Sequence, residues 1–209
     1  MQKEALKKYT VEAIGTFFLV LTILFSGEPL AVGAILIAMI YIGGYISGGH
    51  YNPAVTLAVY MTGKMKKPEA IRYIAFQIVG GLAAGFINYL ITGDTLVPQP
   101  SYEYSLVSIV LAEAIFTFAL ASAVLHATAS KRTIGNEYYA LAIGLTVAAA
   151  AYAIGPISGG VINPAVAIGT IIIDLADIFS NFGNLVLYIV GASLGGMIAA
   201  QVFNWLEEK

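Results

Sequence analysis

The sequence predicts an all-α membrane protein in which six transmembrane helices and two short re-entrant helices form an inverted repeat. Composition is the first reason: 59% of the 209 residues are hydrophobic and 11% are charged, which is more apolar surface than a water-soluble domain can bury. The apolar residues are also grouped into six long runs. In addition, residues 47–55 return as residues 158–166 with seven identities in nine positions.

The six apolar runs mark the transmembrane helices. Each approaches or reaches the roughly 17–25 residues that a helix needs to span a bilayer. They are about residues 9–25, 30–46, 70–92, 106–128, 138–154 and 184–205. The first run follows three lysines, as a signal peptide would, but it is long for one and no small-residue cleavage site follows it, so we predict a retained helix. Residues 53–61 and 164–173 are apolar but too short to span, and each starts within an Asn-Pro-Ala tripeptide.

The duplication extends beyond this tripeptide. The pattern Glu-Ala-Ile-x-Thr-Phe occurs at residues 12–17 and again at 113–118, and Val-Gly with a following Gly occurs at residues 79–85 and 190–196. Each half therefore has three spans and one short segment. Because three is odd, the two halves must cross the membrane in opposite senses. We predict one domain over residues 1–209, built from inverted repeats of about residues 1–100 and 101–209.

The basic residues predict the orientation in the membrane. With six spans, all ten fall on the side of the two termini: Lys3, Lys7, Lys8, Lys64, Lys66, Lys67, Arg72, Lys131, Arg132 and Lys209. The other side receives only acidic residues, namely Glu28, Asp94, Glu103, Asp174 and Asp177. The positive-inside rule then places both termini in the cytoplasm of a multi-pass cell-membrane protein.

The repeated tripeptide predicts two helix starts inside the bilayer. Asn is a favoured N-cap residue, and Pro suits the first helical position, so Asn52 with Pro53 and Asn163 with Pro164 should each open a short helix. Non-helical backbone at that depth is tolerated only where it is buried in protein or lines a watery cavity. In an inverted repeat, the two helix N-termini therefore point at the centre from opposite faces.

Such a centre would favour water and exclude ions. Each helix N-terminus carries about half a positive charge, and each Asn adds side-chain N–H donors. A water that accepts from both amides turns its own hydrogens outward, which interrupts proton hopping, while the positive ends repel cations. Backbone carbonyls before each helix could form an acceptor track: Gly48, Gly49, His50, Tyr51, Gly159, Gly160, Val161 and Ile162. The alternative is a pair of loops that merely pack, although packing alone would not need two convergent Asn caps.

The segments SGGHYNPAVT and SGGVINPAV, each three spans from its counterpart, resemble the aquaporin (major intrinsic protein) family over nearly the whole chain. The resemblance implies six tilted helices, two half-helices stacked end to end, one pore in each subunit of a homotetramer, and passive conduction of water or small uncharged solutes. It implies a pore motif at Asn52, Pro53, Ala54, Asn163, Pro164 and Ala165.

The resemblance also assigns roles to two acids and a histidine. It implies that Glu12 and Glu113 brace the pore loops by accepting hydrogen bonds from their backbone, and that His50 lies beside the pore. For Glu12 an ordinary acid near a helix end, one turn from Lys8, remains an alternative.

One position departs from the family. Its water and glycerol channels generally follow the second motif with arginine, and here Val166 stands there; alignment on the motifs adds Val32, Ala151 and Gly160 to the same constriction. None of the four has a side-chain hydrogen-bonding group. We therefore expect a wide, apolar filter that admits water and also glycerol, urea or neutral metalloid hydroxides of the arsenite or boric-acid type. The alternative is that a nearby tyrosine narrows it: Tyr41, Tyr45 or Tyr152.

Other functional classes fit less well. A secondary transporter built from inverted repeats would need coupling-ion ligands, for which only Glu12 and Glu113 are candidates. A non-conducting structural membrane protein is a third hypothesis. No nucleophile–base set or metal-ligand cluster indicates an enzyme, a metal or a cofactor. The absence of cysteine removes disulfide and thiolate chemistry, and a net charge of −2 gives no sign of a nucleic-acid partner.

Overall fold

The computed structural model describes residues 2–133 and 135–208. These residues form eight α-helices and one π-helical turn, with no β-strand among them. The helices are α1 (Gln2–Ser26), α2 (Pro29–Ser47), α3 (Pro53–Met61), α4 (Lys67–Thr92), α5 (Leu106–Val124), α6 (Tyr139–Ser158), α7 (Pro164–Ile171) and α8 (Ile178–Glu207), and the π-helical turn Leu125–Ala129 follows α5. Six of the helical segments are long and apolar enough to cross a membrane. The predicted fold class is confirmed.

The helix ends differ from the predicted ones where the chain leaves the apolar zone. The α1 helix begins seven residues before the first apolar run, and α8 begins six residues before the last one. Hydropathy marks only the part of a helix inside the hydrocarbon core, whereas backbone hydrogen bonding continues into the headgroup region. The α6 helix also continues through Pro156 to Ser158, beyond the predicted end. Lys209, one of the ten basic residues, lies outside the described part of the chain.

The two halves have the same internal arrangement and interlock through their short helices. The α1 helix packs extensively on α4, and its counterpart α5 packs in the same way on α8, while α2 and α6 pack on each other across the halves. Each short helix packs mainly on the last span of the other half, α3 on α8 and α7 on α4. Neither half therefore encloses its own short helix.

Glycines allow these contacts between the spans and the short helices. A β-carbon added at Gly81 of α4 would lie 2.5 Å from the carbonyl oxygen of Ala165, and one added at Gly196 of α8 would lie 2.5 Å from that of Ala54. A β-carbon at Gly85 would meet the carbonyl oxygen of Gly169. Small residues at helix contacts in membranes let backbones approach closely, so α4 and α8 hold α7 and α3 backbone against backbone.

The outer surface is apolar, as a membrane-spanning protein requires. Many large aliphatic side chains on the spans are exposed, among them Ile42, Leu90 and Val107. Contiguous apolar surface of this kind needs lipid or another protein to cover it. Together with the six membrane-length helices, it makes the chain a multi-pass membrane protein.

We expect the substitution Gly85→Ala to destabilise the protein by about 1–3 kcal/mol, because the added methyl group must displace the α7 backbone. Gly183→Ala is the matched control, since Gly183 also lies in a spanning helix but has no atom within 4 Å of the added β-carbon. Thermal unfolding in detergent micelles measures the stability of both variants. Equal melting temperatures for the two variants would contradict the close packing of α4 on α7.

Candidate functional site

A cavity lies between the two halves, beside the N-termini of both short helices. The centres of water-sized molecules can occupy about 90 Å³ of it. A buried water needs roughly 10–15 Å³ by that measure, so several waters fit. Most of the cavity wall is aliphatic, but Asn52 and Asn163 both border it.

The two asparagines are the N-caps of the short helices. The side-chain oxygen of Asn52 accepts a hydrogen bond from the backbone N–H of Ala54 at 2.8 Å, and that of Asn163 accepts from Ala165 at 2.9 Å. Pro53 and Pro164 occupy the first helical positions. Because each amide oxygen is held on its own helix, each NH₂ group is turned away from that helix.

These NH₂ groups bind the opposite loop. The Nδ2 atom of Asn52 donates to the carbonyl oxygen of Ile162 at 2.9 Å, and Nδ2 of Asn163 donates to that of Tyr51 at 3.0 Å. The two helix N-termini are therefore joined face to face. An NH₂ group has two hydrogens, and the described residues supply an acceptor for only one on each asparagine.

This arrangement engages two carbonyls of the track expected from the sequence. The oxygens of Tyr51 and Ile162 each accept one hydrogen bond from an asparagine side chain, which leaves one lone pair on each oxygen. Both residues have positive φ angles, +48° and +40°, which non-glycine residues rarely adopt. That conformation accompanies the turn of each carbonyl towards the other half. Carbonyls without such a partner remain at Gly48, Gly49, His50, Gly159, Gly160 and Val161.

Buried carboxylates hold both loops. The two oxygens of Glu12 accept from the hydroxyl of Ser47 at 2.6 Å and from the backbone N–H groups of His50 and Tyr51 at 3.0 and 2.7 Å. Glu12 is completely buried. Lys8 instead forms an ion pair with Glu69 at 3.2 Å, so the alternative of a helix-end acid beside Lys8 does not describe Glu12.

The second half repeats these bonds. Glu113 accepts from the hydroxyl of Ser158 at 2.6 Å and from the backbone N–H groups of Val161 and Ile162 at 3.0 and 2.6 Å. It too is completely buried. Each carboxylate thus satisfies donors of non-helical backbone that would otherwise be unpaired within the bilayer.

Two tyrosines that sequence reasoning missed also hold the loops. The hydroxyl of Tyr73 donates to the carbonyl oxygen of Ser47 at 2.7 Å, and that of Tyr188 donates to Ser158 at 2.6 Å. They are 115 residues apart, whereas the motifs are 111 apart. Alignment of the repeats therefore does not pair them. The difference of four residues is about one helical turn, so the two tyrosines still lie on similar faces of α4 and α8.

The four residues aligned with the family's constriction come together. Val32, Ala151, Gly160 and Val166 all line the central cavity. None of the three tyrosines considered from the sequence lines it, and all are exposed: Tyr41 at 44%, Tyr45 at 80% and Tyr152 at 60%. Tyr45 instead borders a separate cavity. The alternative that one of these tyrosines narrows the opening is therefore not supported.

A second, wider cavity opens towards the face that carries the two termini, here called the terminal face. About 550 Å³ of it is open to the centres of water-sized molecules, and Lys64, Thr128 and Asn136 are among the residues around it. His50 borders both cavities. A route from the central cavity to the terminal face therefore passes His50.

We expect Glu113→Gln to weaken the second loop, because an amide places an NH₂ group against backbone N–H donors where the carboxylate had an acceptor. Loss of a charged acceptor in a buried site costs about 1.5–3 kcal/mol. The melting temperature should fall accordingly, and the osmotic permeability of proteoliposomes should be reduced. Glu103→Gln, at an exposed site, is the control; equal behaviour of the two variants would contradict the bracing geometry.

Comparison with known proteins places this geometry in a family. Residues 25–203 match the sequence model of the major intrinsic protein family. The chain is 38% identical to aquaporin TIP2-1 of Arabidopsis thaliana, over 84% of this chain and 71% of that protein. It is 32% identical to glycerol uptake facilitator protein-like 6 of Lactiplantibacillus plantarum, over 93% and 95% of the two chains.

A solved structure shares the fold. The aquaglyceroporin from Plasmodium falciparum superposes with a TM-score of 0.80 over 96% of both chains, at 19% sequence identity. Members of the matched family are channels rather than enzymes. The chain therefore belongs to the major intrinsic protein family and is a membrane channel for water and small solutes.

Proposed function

We propose that this protein is a passive, bidirectional channel whose central cavity conducts water together with larger uncharged solutes such as glycerol or urea. The observation that carries the proposal is the pair of reciprocally bonded asparagines at facing helix N-termini, within a cavity that Val32, Ala151, Gly160 and Val166 also line. Neutral metalloid hydroxides of the arsenite or boric-acid type are the alternative solutes.

The asparagine pair supplies the ion barrier. Each NH₂ group keeps one hydrogen for the cavity, and the two helix N-termini add about half a positive charge each. A water that accepts from both asparagines points its hydrogens away from the centre, so a proton cannot hop through it, and cations are repelled. In this proposal the exclusion of ions depends on Asn52 and Asn163. It does not depend on the apolar filter formed by Val32, Ala151, Gly160 and Val166.

The filter determines which neutral solutes pass. Its four side chains are aliphatic or absent, so a polar solute that loses water there can replace lost hydrogen bonds only at backbone groups. Gly159 and Gly160 line the cavity, and their carbonyls have no hydrogen-bond donor among the described residues. Without a large cationic side chain at Val166, the opening has room for solutes larger than water. The glycerol uptake facilitator among the relatives supports this choice.

The rival functions have less support. A secondary transporter needs ionisable groups free to bind a coupling ion, whereas Glu12 and Glu113 are surrounded by donors from the loops. A non-conducting structural protein would have no use for a cavity bordered by two polar N-caps. We therefore favour conduction over both.

We also propose cytoplasmic termini, a cell-membrane location and a homotetramer of single-domain subunits built from inverted repeats. Lys64, Lys131 and Arg132 border one pocket with the end of α8, which supports a basic terminal face. Asp174 and Asp177 share a pocket with the loop after α4 on the other face. This distribution of charge fits the positive-inside rule. The exposed apolar faces of the spans are available to lipid and to neighbouring subunits.

Stopped-flow light scattering on proteoliposomes tests the function directly. We expect water, glycerol and urea each to cross faster than in empty liposomes, with no ion gradient required, and boric acid reports on the metalloid alternative. Permeability equal to that of empty liposomes for every solute would favour the structural hypothesis. Dependence on an ion gradient would favour the transporter.

Val166→Arg tests the filter. The guanidinium would occupy the cavity, so we expect glycerol permeability to fall roughly tenfold or more, the effect of about 1.4 kcal/mol of added barrier, with a smaller loss for water. Tyr102→Arg adds the same charge at an exposed residue that does not line the central cavity. Unchanged solute permeability in Val166→Arg would mean that Val166 does not line the constriction.

Asn52→Asp and Asn163→Asp test the ion barrier. Aspartate still caps a helix, but it places a full negative charge where each helix end has about half a positive one, so we expect cation leakage. Asn184→Asp, at a half-buried position that does not line the central cavity, is the control. Conductance in planar bilayers measures the effect, and cation-tight motif variants would rule out an electrostatic barrier at the asparagines.

A further inference from the structure

A chain of four buried polar side chains extends from Glu12 to His50. The Nε2 atom of Gln77 lies 2.8 Å from Oε2 of Glu12 and 2.9 Å from the hydroxyl oxygen of Thr56. That hydroxyl lies 3.1 Å from Nδ1 of His50. All four residues are buried. None of the roles described above accounts for Gln77 or Thr56.

The direction of each hydrogen bond follows from Glu12. Its carboxylate accepts, so the amide of Gln77 must present its NH₂ group there and not its oxygen. That oxygen is one of four buried side-chain atoms without a partner among the described residues, which indicates that Glu12 sets the orientation of the amide. The second hydrogen of the NH₂ group then goes to Thr56.

The hydroxyl of Thr56 has one hydrogen of its own. It already accepts from Gln77, and among the described residues its only other partner is Nδ1 of His50. Thr56 therefore donates to Nδ1. An imidazole whose Nδ1 accepts carries its hydrogen on Nε2, and a doubly protonated ring has no acceptor to offer at Nδ1.

The Nε2 atom of His50 faces the passage. It has no partner among the described residues, yet it is absent from the buried atoms that lack one, so it is accessible. It lies on the side of Gly48, at 3.3 Å from a β-carbon placed on that glycine. Gly48 borders the wider cavity, and His50 borders both.

The second half holds its loop without this chain of side chains. The residues 111 positions after His50, Thr56 and Gln77 are Val161, Ala167 and Tyr188. The backbone of that loop donates to Glu113 and to the hydroxyl of Ser158. Bracing of a loop therefore does not require the Gln–Thr–His chain. Its presence in one half only points to a role for His50.

We infer that Thr56 and Gln77 are positioning residues that hold the neutral His50 imidazole as the Nε2–H tautomer, which gives the passage one fixed side-chain donor between the asparagine pair and the terminal face. A ring whose Nδ1 is occupied cannot take a proton at one nitrogen and release it at the other, so His50 adds to the proton barrier. This inference deepens the proposed function and rests on it for the role in conduction, but not for the tautomer itself.

Nitrogen NMR of the histidine-labelled protein in liposomes, in alkaline buffer, tests the tautomer without any variant. His126 is an internal reference: its Nδ1 lies 2.9 Å from the carbonyl oxygen of Ser122, which can only accept, so His126 is Nδ1–H. We expect two opposite tautomers in one spectrum, and His126→Gln assigns them. An Nδ1–H form of His50 would overturn the inference.

Three variants test the positioning. Thr56→Val removes the hydroxyl and keeps a similar side-chain shape. In the original protein we expect the Nε2–H tautomer of His50 to be favoured roughly tenfold or more, the effect of one hydrogen bond. In Thr56→Val this preference should disappear. Thr56→Ser should retain it. Gln77→Met forms no bond with His50, yet it frees the Thr56 hydroxyl to accept, so the tautomers should mix. A His50 spectrum unchanged in both Thr56→Val and Gln77→Met would refute the positioning of His50 by the Gln–Thr–His chain.

Permeability measurements distinguish a failure of this inference from a failure of the proposed function. Water flux through Thr56→Val should fall about two- to tenfold, on the scale of one net hydrogen bond, and flux through Thr56→Ser should match the original protein. A conducting channel with the wrong His50 tautomer would overturn the inference alone. The expected tautomer in a protein that conducts nothing would overturn the proposed function alone.

Discussion

The reciprocal hydrogen bonds of Asn52 and Asn163 are the constraint on which the centre of this protein depends. Two stretches of non-helical backbone lie between spanning helices, where no bulk water is available and an unpaired polar group costs several kcal/mol. Each asparagine caps its own helix and also satisfies a carbonyl of the opposite loop. Neither short helix can be placed correctly without the other.

The two halves share a scaffold but differ in chemistry. Glu12 and Glu113 brace equivalent backbone groups, and Tyr73 and Tyr188 bind equivalent carbonyls. The side chains that face the passage do not follow this symmetry, since His50 on one side corresponds to Val161 on the other. An inverted repeat thus supplies matched helix ends, while each entrance keeps its own polarity.

The apolar filter separates two tasks that one arginine could combine, namely repelling cations and limiting size. Val166 has neither a charge nor a long side chain, so in our proposal ion exclusion depends on the helix ends and solute choice depends on the width of the filter and its backbone carbonyls. Helix-end charge acts through backbone that cannot rearrange without unfolding the loops. A permissive filter is therefore compatible with a tight ion barrier.

The sequence by itself determined the spans, the two short helices and the repeat. Capping and hydropathy depend on neighbouring residues, and the repeat is visible as a constant offset of 111 residues. Tertiary structure alone decided that the carbonyls of Tyr51 and Ile162 bind asparagines, that Tyr41 and Tyr152 do not line the central cavity, and that Gln77 reaches Thr56. Those contacts join residues that are distant along the chain. Only docking of the helices brings them within hydrogen-bonding distance, so no local pattern could reveal them.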